Sequence, residues 1–245
     1  VGRCKSFDSS GDGYGRGEGF VAVVMQRHAG ASSAGICGIV LGSAVNQAGR
    51  SSGLTAPYGP SQSALIKAAL AAAGLSSTAV RFLSVHGTGT ALGDPIEIGA
   101  LAQALPGSSS SGRPGGQQAA PLTLASNKSC CGHTEGAAGL TGLLLAASMA
   151  SQQAAPAIMH LRSMNPYVQT ALSDWAARGG GRALHLPRQY AAGAAPSPQP
   201  GAAGTSSFGM SGVNAHMLVE AAPDSEHSNI SAVAVSACSP PPHDP

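Results

Sequence analysis

Two histidine loops carry the residue types that could do chemistry. They are Val85-His86-Gly87-Thr88-Gly89-Thr90 and Asn127-Lys128-Ser129-Cys130-Cys131-Gly132-His133. A neutral imidazole can donate its Nε2–H to an oxygen on which negative charge develops. Two such donors converging on one carbonyl or carboxylate would stabilise an enolate. Lys128, on the same loop as His133, could fix charge and orientation there. Thr88 and Thr90 could hydrogen-bond an amide-rich ligand. The turn Phe208-Gly209-Met210-Ser211-Gly212 offers backbone N–H groups for a second anion hole. This set suits acyl or enolate chemistry, which needs charge-stabilising donors and no metal.

Each feature also has a plainer reading. A single histidine at a strand end is more often a structural hydrogen-bonder. Cys130, Cys131 and His133 suggest a metal, but no second ligand pair completes a zinc set. Cys131 as a nucleophile would lie two residues from His133, yet neighbouring side chains of an extended loop point apart, and nothing marks either thiol as activated. His28, His160, His185, His216, His227 and His243 belong to no partnered motif. Gly13-x-Gly15-x-Gly17 precedes a strand-like run, whereas a dinucleotide fingerprint follows one. On turn chemistry alone the glycine-dense stretch 4–19 reads equally well as a surface loop.

The elements that must position these loops follow from periodicity. Residues 20–26 and 36–44 are rich in β-formers and read as partnered strands. Residues 61–73 form an apolar-faced helix, with Ser61 as N-cap and Gly74 as its stop. A buried strand at 80–85 delivers His86. Asp94-Pro95-Ile96-Glu97 reads as a capping box opening a helix to about Leu105. A strand at 122–126 delivers Lys128 and His133. Residues 136–152 are small and apolar on nearly all sides, which predicts a helix buried all round. Residues 157–161 look strand-like, 165–186 are mixed, and the turn at 205–212 runs into an apolar segment at 213–219. Strand–helix alternation closed by paired strands predicts an α/β sheet layered with helices.

Composition narrows the function classes. Hydrophobic residues make up 43% of the 245, enough for a sizeable core, and charged residues only 10%. A net charge of +2 without a basic stripe argues against nucleic acid as a partner. Tracts rich in Ala, Gly, Ser and Pro at 106–120, 191–203 and 236–245 read as loops or tails. Five irregularly spaced cysteines make no disulfide framework and suit a reducing compartment. No signal peptide opens the chain, and the longest apolar run, 140–150, is too short to span a membrane. The expected location is cytoplasmic, with a plastid left open. A chain starting at Val1 reads as a fragment or the product of a truncated gene.

Longer strings extend this reading. His86-Gly-Thr-Gly-Thr-Ala-Leu-Gly-Asp-Pro-Ile-Glu97, Asn127-Lys-Ser-Cys-Cys-Gly-His-Thr-Glu-Gly-Ala-Ala-Gly139 and Ser206-Ser-Phe-Gly-Met-Ser-Gly-Val-Asn-Ala-His216 resemble the β-ketoacyl synthase (ketosynthase) domain, above all its type I polyketide synthase version. So do Cys4-Lys-Ser-Phe-Asp8, Asp12-Gly-Tyr-Gly-Arg-Gly-Glu-Gly19 and Ser43-Ala-Val-Asn-Gln-Ala-Gly-Arg50 with Gly53-Leu-Thr-Ala-Pro57. The matches run in family order from Cys4 to about Ala221.

The resemblance implies a thiolase-like fold of five layers, αβαβα, usually a homodimer. Residues 1–57 would close the first half, 58–221 would form the second, and 222–245 would be a disordered tail. It implies decarboxylative Claisen condensation in polyketide or fatty acid biosynthesis, among other synthase domains. No cofactor would be bound; substrates would ride on the phosphopantetheine of acyl carrier protein. His86 and His133 match the catalytic histidines and Lys128 the family lysine. Thr88 and Thr90 match residues that contact the phosphopantetheine arm. Phe208, Gly209 and Met210 belong to the gating turn, with the Met210 N–H in the oxyanion hole. The sequence departs from the family in lacking a Thr-Ala-Cys-Ser nucleophile motif, so the chain alone is expected to be inactive. Met210, Cys130, Val213 and Ala48 replace residues frequent at their positions. A non-catalytic scaffold or dimerisation module is the alternative reading.

Overall fold

The computed structural model describes residues 2–27, 35–49, 53, 56–106, 120–178, 182–188, 191–192 and 201–222. One mixed sheet organises them. Its strands are β1 (Ile39–Gln47), β2 (Val80–Ser84), β3 (Leu122–Ala125), β5 (Leu184–His185), β7 (Ala202–Phe208) and β8 (Val213–Glu220), in the order β1-β8-β7-β2-β3-β5. The centre is parallel: β2 runs with β3 and with β7. The β7–β8 hairpin and β1 add antiparallel strands. A small pair, β4 (Ala154–Ala155) and β6 (Ala191–Ala192), stands apart.

The helices are α1 (Gly59–Ala73), α2 (Gly93–Ala104), the single turn α3 (Lys128–Cys131), α4 (Ala138–Gln152) and α5 (Pro166–Arg178). α1 packs on β1 and β8, touches α2, and α2 touches α5; α4 lies against β2, β7 and β8. Two apolar clusters result. One joins Phe7, Ile66, Leu83, Ile98, Leu101 and Trp175; the other joins Phe82, Ala146, Met149, Ala203 and Val219. The chain is thus an α/β unit of three layers. β1, from the segment before residue 58, is an edge strand of the same sheet that carries the later elements.

Arg182, nearly fully buried, ties the sheet's lower edge. It donates to the carbonyls of Ala120 (2.9 Å), Ser77 (2.8 Å) and Val80, while the Trp175 indole donates to its own carbonyl at 2.8 Å. No helix among the described residues is long and apolar enough to cross a membrane.

Several elements differ from expectation. Residues 20–26 are extended but unpaired, with Phe20 and Val24 fully exposed. Their expected partner, β1, bonds β8 instead, so no strand edge lies beside them among the described residues. Residues 157–161 form turns, not a strand. Pro156 offers no N–H to a ladder, and His160 takes φ 66°. α1 starts before Ser61, whose hydroxyl bonds back to Tyr58 O at 2.9 Å instead of capping. Gly74 does stop α1, at φ 64°. α4 is not buried all round. Ala138, Gly142, Ala146 and Met149 are buried, while Leu140 is exposed, because among the described residues one layer, the sheet, covers the helix. Residues 191–192 and 202–203, expected in a loop, are strand. Residues 107–119, 193–200 and 223–245, with His28, His227 and His243, lie outside the described residues.

His216 gives the fold a pH dependence. Its Nδ1 lies 2.9 Å from Ser206 Oγ inside the sheet, its Nε2 has no partner, and burial pushes its pKa down to about 4. The unfolded chain binds a proton that the folded chain refuses. This stability is present above pH 6.5 and is lost as pH falls through about 4. Each pKa unit is worth about 1.4 kcal/mol, so the loss is about 3 kcal/mol. Urea unfolding of His216→Asn should show a flatter acid slope in that window.

Candidate active site

The sheet register explains how distant segments meet. Ser84 pairs with Ala125 on one side and Thr205 on the other, so β2, β3 and β7 end together. Their exits carry His86, the Lys128 turn and Phe208 to one edge, where α/β sheets place their chemistry.

The first loop is held by carboxylates. The His86 and Gly87 N–H groups donate to the two oxygens of Glu97, at 2.7 and 2.8 Å. Asp94 accepts from Phe7 N–H at 2.7 Å and Gly89 N–H at 3.1 Å. The expected capping box is therefore absent. Thr90 Oγ1 accepts the Gly93 N–H at 3.1 Å instead, and the acidic side chains turn back to bind the histidine loop. Gly87 sits at φ 40°, where an added Cβ would press within 3.0 Å of Ser126 Oγ. Its carbonyl accepts from Ser6 and Ser126 hydroxyls.

The second loop is shaped by α3 and the glycine-dense stretch. Gly17 N–H donates to His133 O at 3.0 Å, and His133 N–H donates to Gly15 O at 2.8 Å. A Cβ at Gly17 would overlap the Cys131 carbonyl oxygen. The glycines are there for close approach, so this stretch is the wall of the site and not a free surface loop. Asp8 ties it to the other side. Its buried carboxylate accepts from Ser10, Ser163 and Arg162 N–H groups, which outweigh burial and hold it below the usual carboxylate range.

The two rings meet edge to face, centroids 5.4 Å apart at 88°. Tyr14 abuts His133 at 5.0 Å, and Phe208 abuts His86 at 5.3 Å. His86 Nδ1 accepts the Phe208 N–H at 3.3 Å, and His133 Nδ1 accepts the Glu135 N–H at 3.1 Å. An Nδ1 that accepts must leave the proton on Nε2. Burial, then Lys128 and the other histidine, push His86 well below the ordinary histidine value; burial and Lys128 lower His133. Both are neutral Nε2–H donors at neutral pH. Lys128 is buried, which lowers its pKa against the pull of Glu97, Cys4, Cys131 and Asp94. Burial raises Glu97, and it raises Asp94 to about 6.

These groups line a cleft of about 660 Å³, with His86, His133, Thr88, Thr90, Phe208, Gly209 and Met210 on its wall. Thr88 and Thr90 hydroxyls lie 3.3 Å apart. In the 208–212 turn, Gly209 N–H bonds Val213 O and Gly212 N–H bonds Gly209 O. Among the described residues nothing accepts the Met210 N–H, whose side chain stands exposed. The thiols are spent locally: Cys4 Sγ bonds Gly15 O, Cys131 Sγ bonds Asn127 O, and burial raises both. No group of three or more metal-ligating side chains occurs among the described residues. Sequence reasoning missed Tyr14, Asp8 and the role of Asp94 and Glu97. Tyr14 and Asp94 adjoin glycines that allow backbone contact, which was a signal for those two; Asp8 and Glu97 carried none.

Residues 37–162 match the family model of the β-ketoacyl synthase C-terminal domain, and residues 1–31 that of the N-terminal domain. The chain belongs to the β-ketoacyl synthase family. Among its relatives, mycoketide-CoA synthase of Mycobacterium tuberculosis is 44% identical over 224 residues, 91% of this chain and 5% of the relative. Erythronolide synthase EryA2 of Saccharopolyspora erythraea is 40% identical over 224 residues, 91% of this chain and 6% of the relative. The chain therefore spans a small part of these relatives' length. The ketosynthase from module 6 of the bacillaene synthase of Bacillus subtilis 168 superposes with TM-score 0.75 at 30% identity, over 90% of this chain and 37% of that one. The oxazolomycin ketosynthase domain of Streptomyces albus JA3453 gives TM-score 0.75 at 33% identity, with the same coverage. The thiolase-like α/β class expected for this β-ketoacyl synthase chain is thereby established.

Proposed function

We propose that this site forms and stabilises the enolate of a decarboxylative Claisen condensation in polyketide synthesis. The observation that carries it is the pair of imidazoles with Nδ1 bonded to backbone N–H and Nε2–H free for the cleft. A malonyl-type thioester enters on the phosphopantetheine of acyl carrier protein, past Thr88 and Thr90. Its carboxylate leaves as CO2, and the electron pair passes to the thioester carbonyl. His86 and His133 donate to the resulting oxyanion, with Lys128 behind them. The carbanion carbon attacks an acyl thioester whose carbonyl oxygen is received by the Met210 N–H; the new C–C bond forms, the acyl C–S bond breaks, and the thiolate leaves. Cys4 and Cys131 do not hold that acyl group, being hydrogen-bonded and raised by burial. Homodimerisation and neighbouring synthase domains belong to the same reading.

Malonyl-pantetheine supplied to the full-length protein should release CO2. The rate should stay flat through neutral pH and fall only below pH 6.5, because protonating either Nδ1 breaks its backbone bond and both imidazoles titrate low. An acid limb at or above 6.5 would contradict the neutral-donor role. A ketosynthase-like scaffold is favoured only by the missing Thr-Ala-Cys-Ser string, and it predicts no CO2 at all.

A further inference from the structure

The wall of the cleft also carries an unused carboxamide. Gln62, on the first turn of α1, is 2% exposed and lines the cleft. Its Oε1 is buried with no partner among the described residues. An unmet buried carboxamide is costly, and folded proteins rarely keep one without a use.

Asn214 stands on the same cleft wall, 4% exposed. Its Nδ2 donates to Asn46 Oδ1 and to Ser61 Oγ, both at 3.2 Å. Asn46 is in turn locked onto Ser61 O at 2.8 Å. Both Asn214 N–H bonds are thus committed, and among the described residues nothing donates to its Oδ1. Ser61 and Gln62 are sequence neighbours, so the lock on Asn214 also fixes the start of the turn that bears Gln62. Ala48, Pro57, Tyr58 and Met210 add apolar surface to the same cleft. The result is a pair of carbonyl acceptors in a mostly apolar wall, that of Asn214 fixed by its two N–H bonds. That is the construction of a specificity site: apolar lining with few placed polar atoms.

We propose that Gln62, with Asn214, forms a subsite that accepts a hydrogen bond from an N–H or O–H donor on the thioester ligand. The proposal rests on the function proposed above and adds a binding residue to it. The donor has two sources: an amide N–H of the carrier arm, or a hydroxyl of the acyl chain.

The test uses the full-length protein and its Gln62→Leu variant. Leucine keeps the volume and removes an unmet polar group, so the melting temperature should equal or exceed that of the parent. A clear fall would show a hidden structural partner and overturn the proposal. CO2 release is then measured from malonyl thioesters of pantetheine, N-acetylcysteamine and ethanethiol, the last having no N–H. With the carrier arm as source, KM should rise about tenfold for the amide-bearing thioesters, with kcat held and the ethanethiol ester unmoved, the signature of lost uniform binding. With the acyl chain as source, the carriers respond alike to the parent, and condensation with a 3-hydroxybutyryl ethanethiol ester loses its KM advantage over the butyryl ester. An equal change for every ligand, or none for any, overturns the subsite. If the parent releases no CO2, the proposed function fails separately. NMR titration of parent and variant with pantetheine then still decides the carrier-arm subsite, by weaker binding to the variant or by equal binding.

Discussion

His133→Ala in the full-length protein is expected to cut CO2 release from a malonyl thioester by about 10²–10³-fold, the usual loss for one oxyanion donor. His86→Ala should fall in the same range. The two rings share one cleft and stand edge to face, and in the proposed function they serve one oxygen as a unit. Their losses should therefore not multiply, and the double variant should lie near the single ones. Stability should change little for His133→Ala, because the ring is half-buried and, among the described residues, accepts one hydrogen bond, from Glu135 N–H, while its backbone bonds to Gly15 and Gly17 survive the substitution. A tautomer argument sharpens the test. Glutamine at either position can present an N–H donor near the Nε2 position but has no acceptor at the Nδ1 position for the backbone N–H, so partial recovery would show that orientation matters beyond the donor itself. Undiminished CO2 release from His133→Ala, with malonyl-pantetheine as substrate, would remove His133 from the mechanism.

The reactive groups were legible in the sequence because their loops follow short β-rich runs that the structure does form as β2 and β3. The helix stop at Gly74 was legible for a similar local reason. What the sequence hid was register. Nothing in residues 80–85, 122–126 and 205–208 says that Ser84, Ala125 and Thr205 lie level, and that alignment is what brings His86, Lys128 and Phe208 together. Elements judged on propensity alone fared worse. Residues 20–26 have strand composition, yet composition cannot supply a neighbouring strand edge. α4 has an apolar surface all round, yet how many faces are covered depends on layers and not on the helix. The polar residues were the hardest. Asp8 and Asp94 act across more than 80 residues of sequence, through backbone N–H groups that leave no trace in residue type.

Glu97 shows the consequence of that blindness and carries the second large effect. Its spacing from Asp94 suggested a helix cap, a role worth about 1 kcal/mol. In the fold it is 3% exposed and is the acceptor for the His86 and Gly87 backbone N–H groups. Glu97→Ala leaves both donors buried and unmet, at about 1–3 kcal/mol each. It also opens a cavity behind His86. A loss of about 4 kcal/mol in urea unfolding is expected, far beyond a cap. Where the variant still folds, displacement of His86 should lower CO2 release by about 10²-fold or more, since a shift near 1 Å has that effect. Glu97→Gln separates the contributions. It keeps the shape but offers one carbonyl oxygen to two donors, so it should lie between parent and alanine variant. Its pH dependence has a fixed sign. Burial raises Glu97 above the ordinary 4.5, against its two N–H partners. The folded parent therefore binds that proton more tightly than the unfolded chain, and its stability falls as pH rises from about 4.5 through the raised value. Glutamine does not titrate, so the deficit of Glu97→Gln should be largest at low pH and shrink toward neutrality. A deficit that grows with pH would mean that Glu97 is held as a carboxylate by Lys128, and that the cation governs the loop more than burial does.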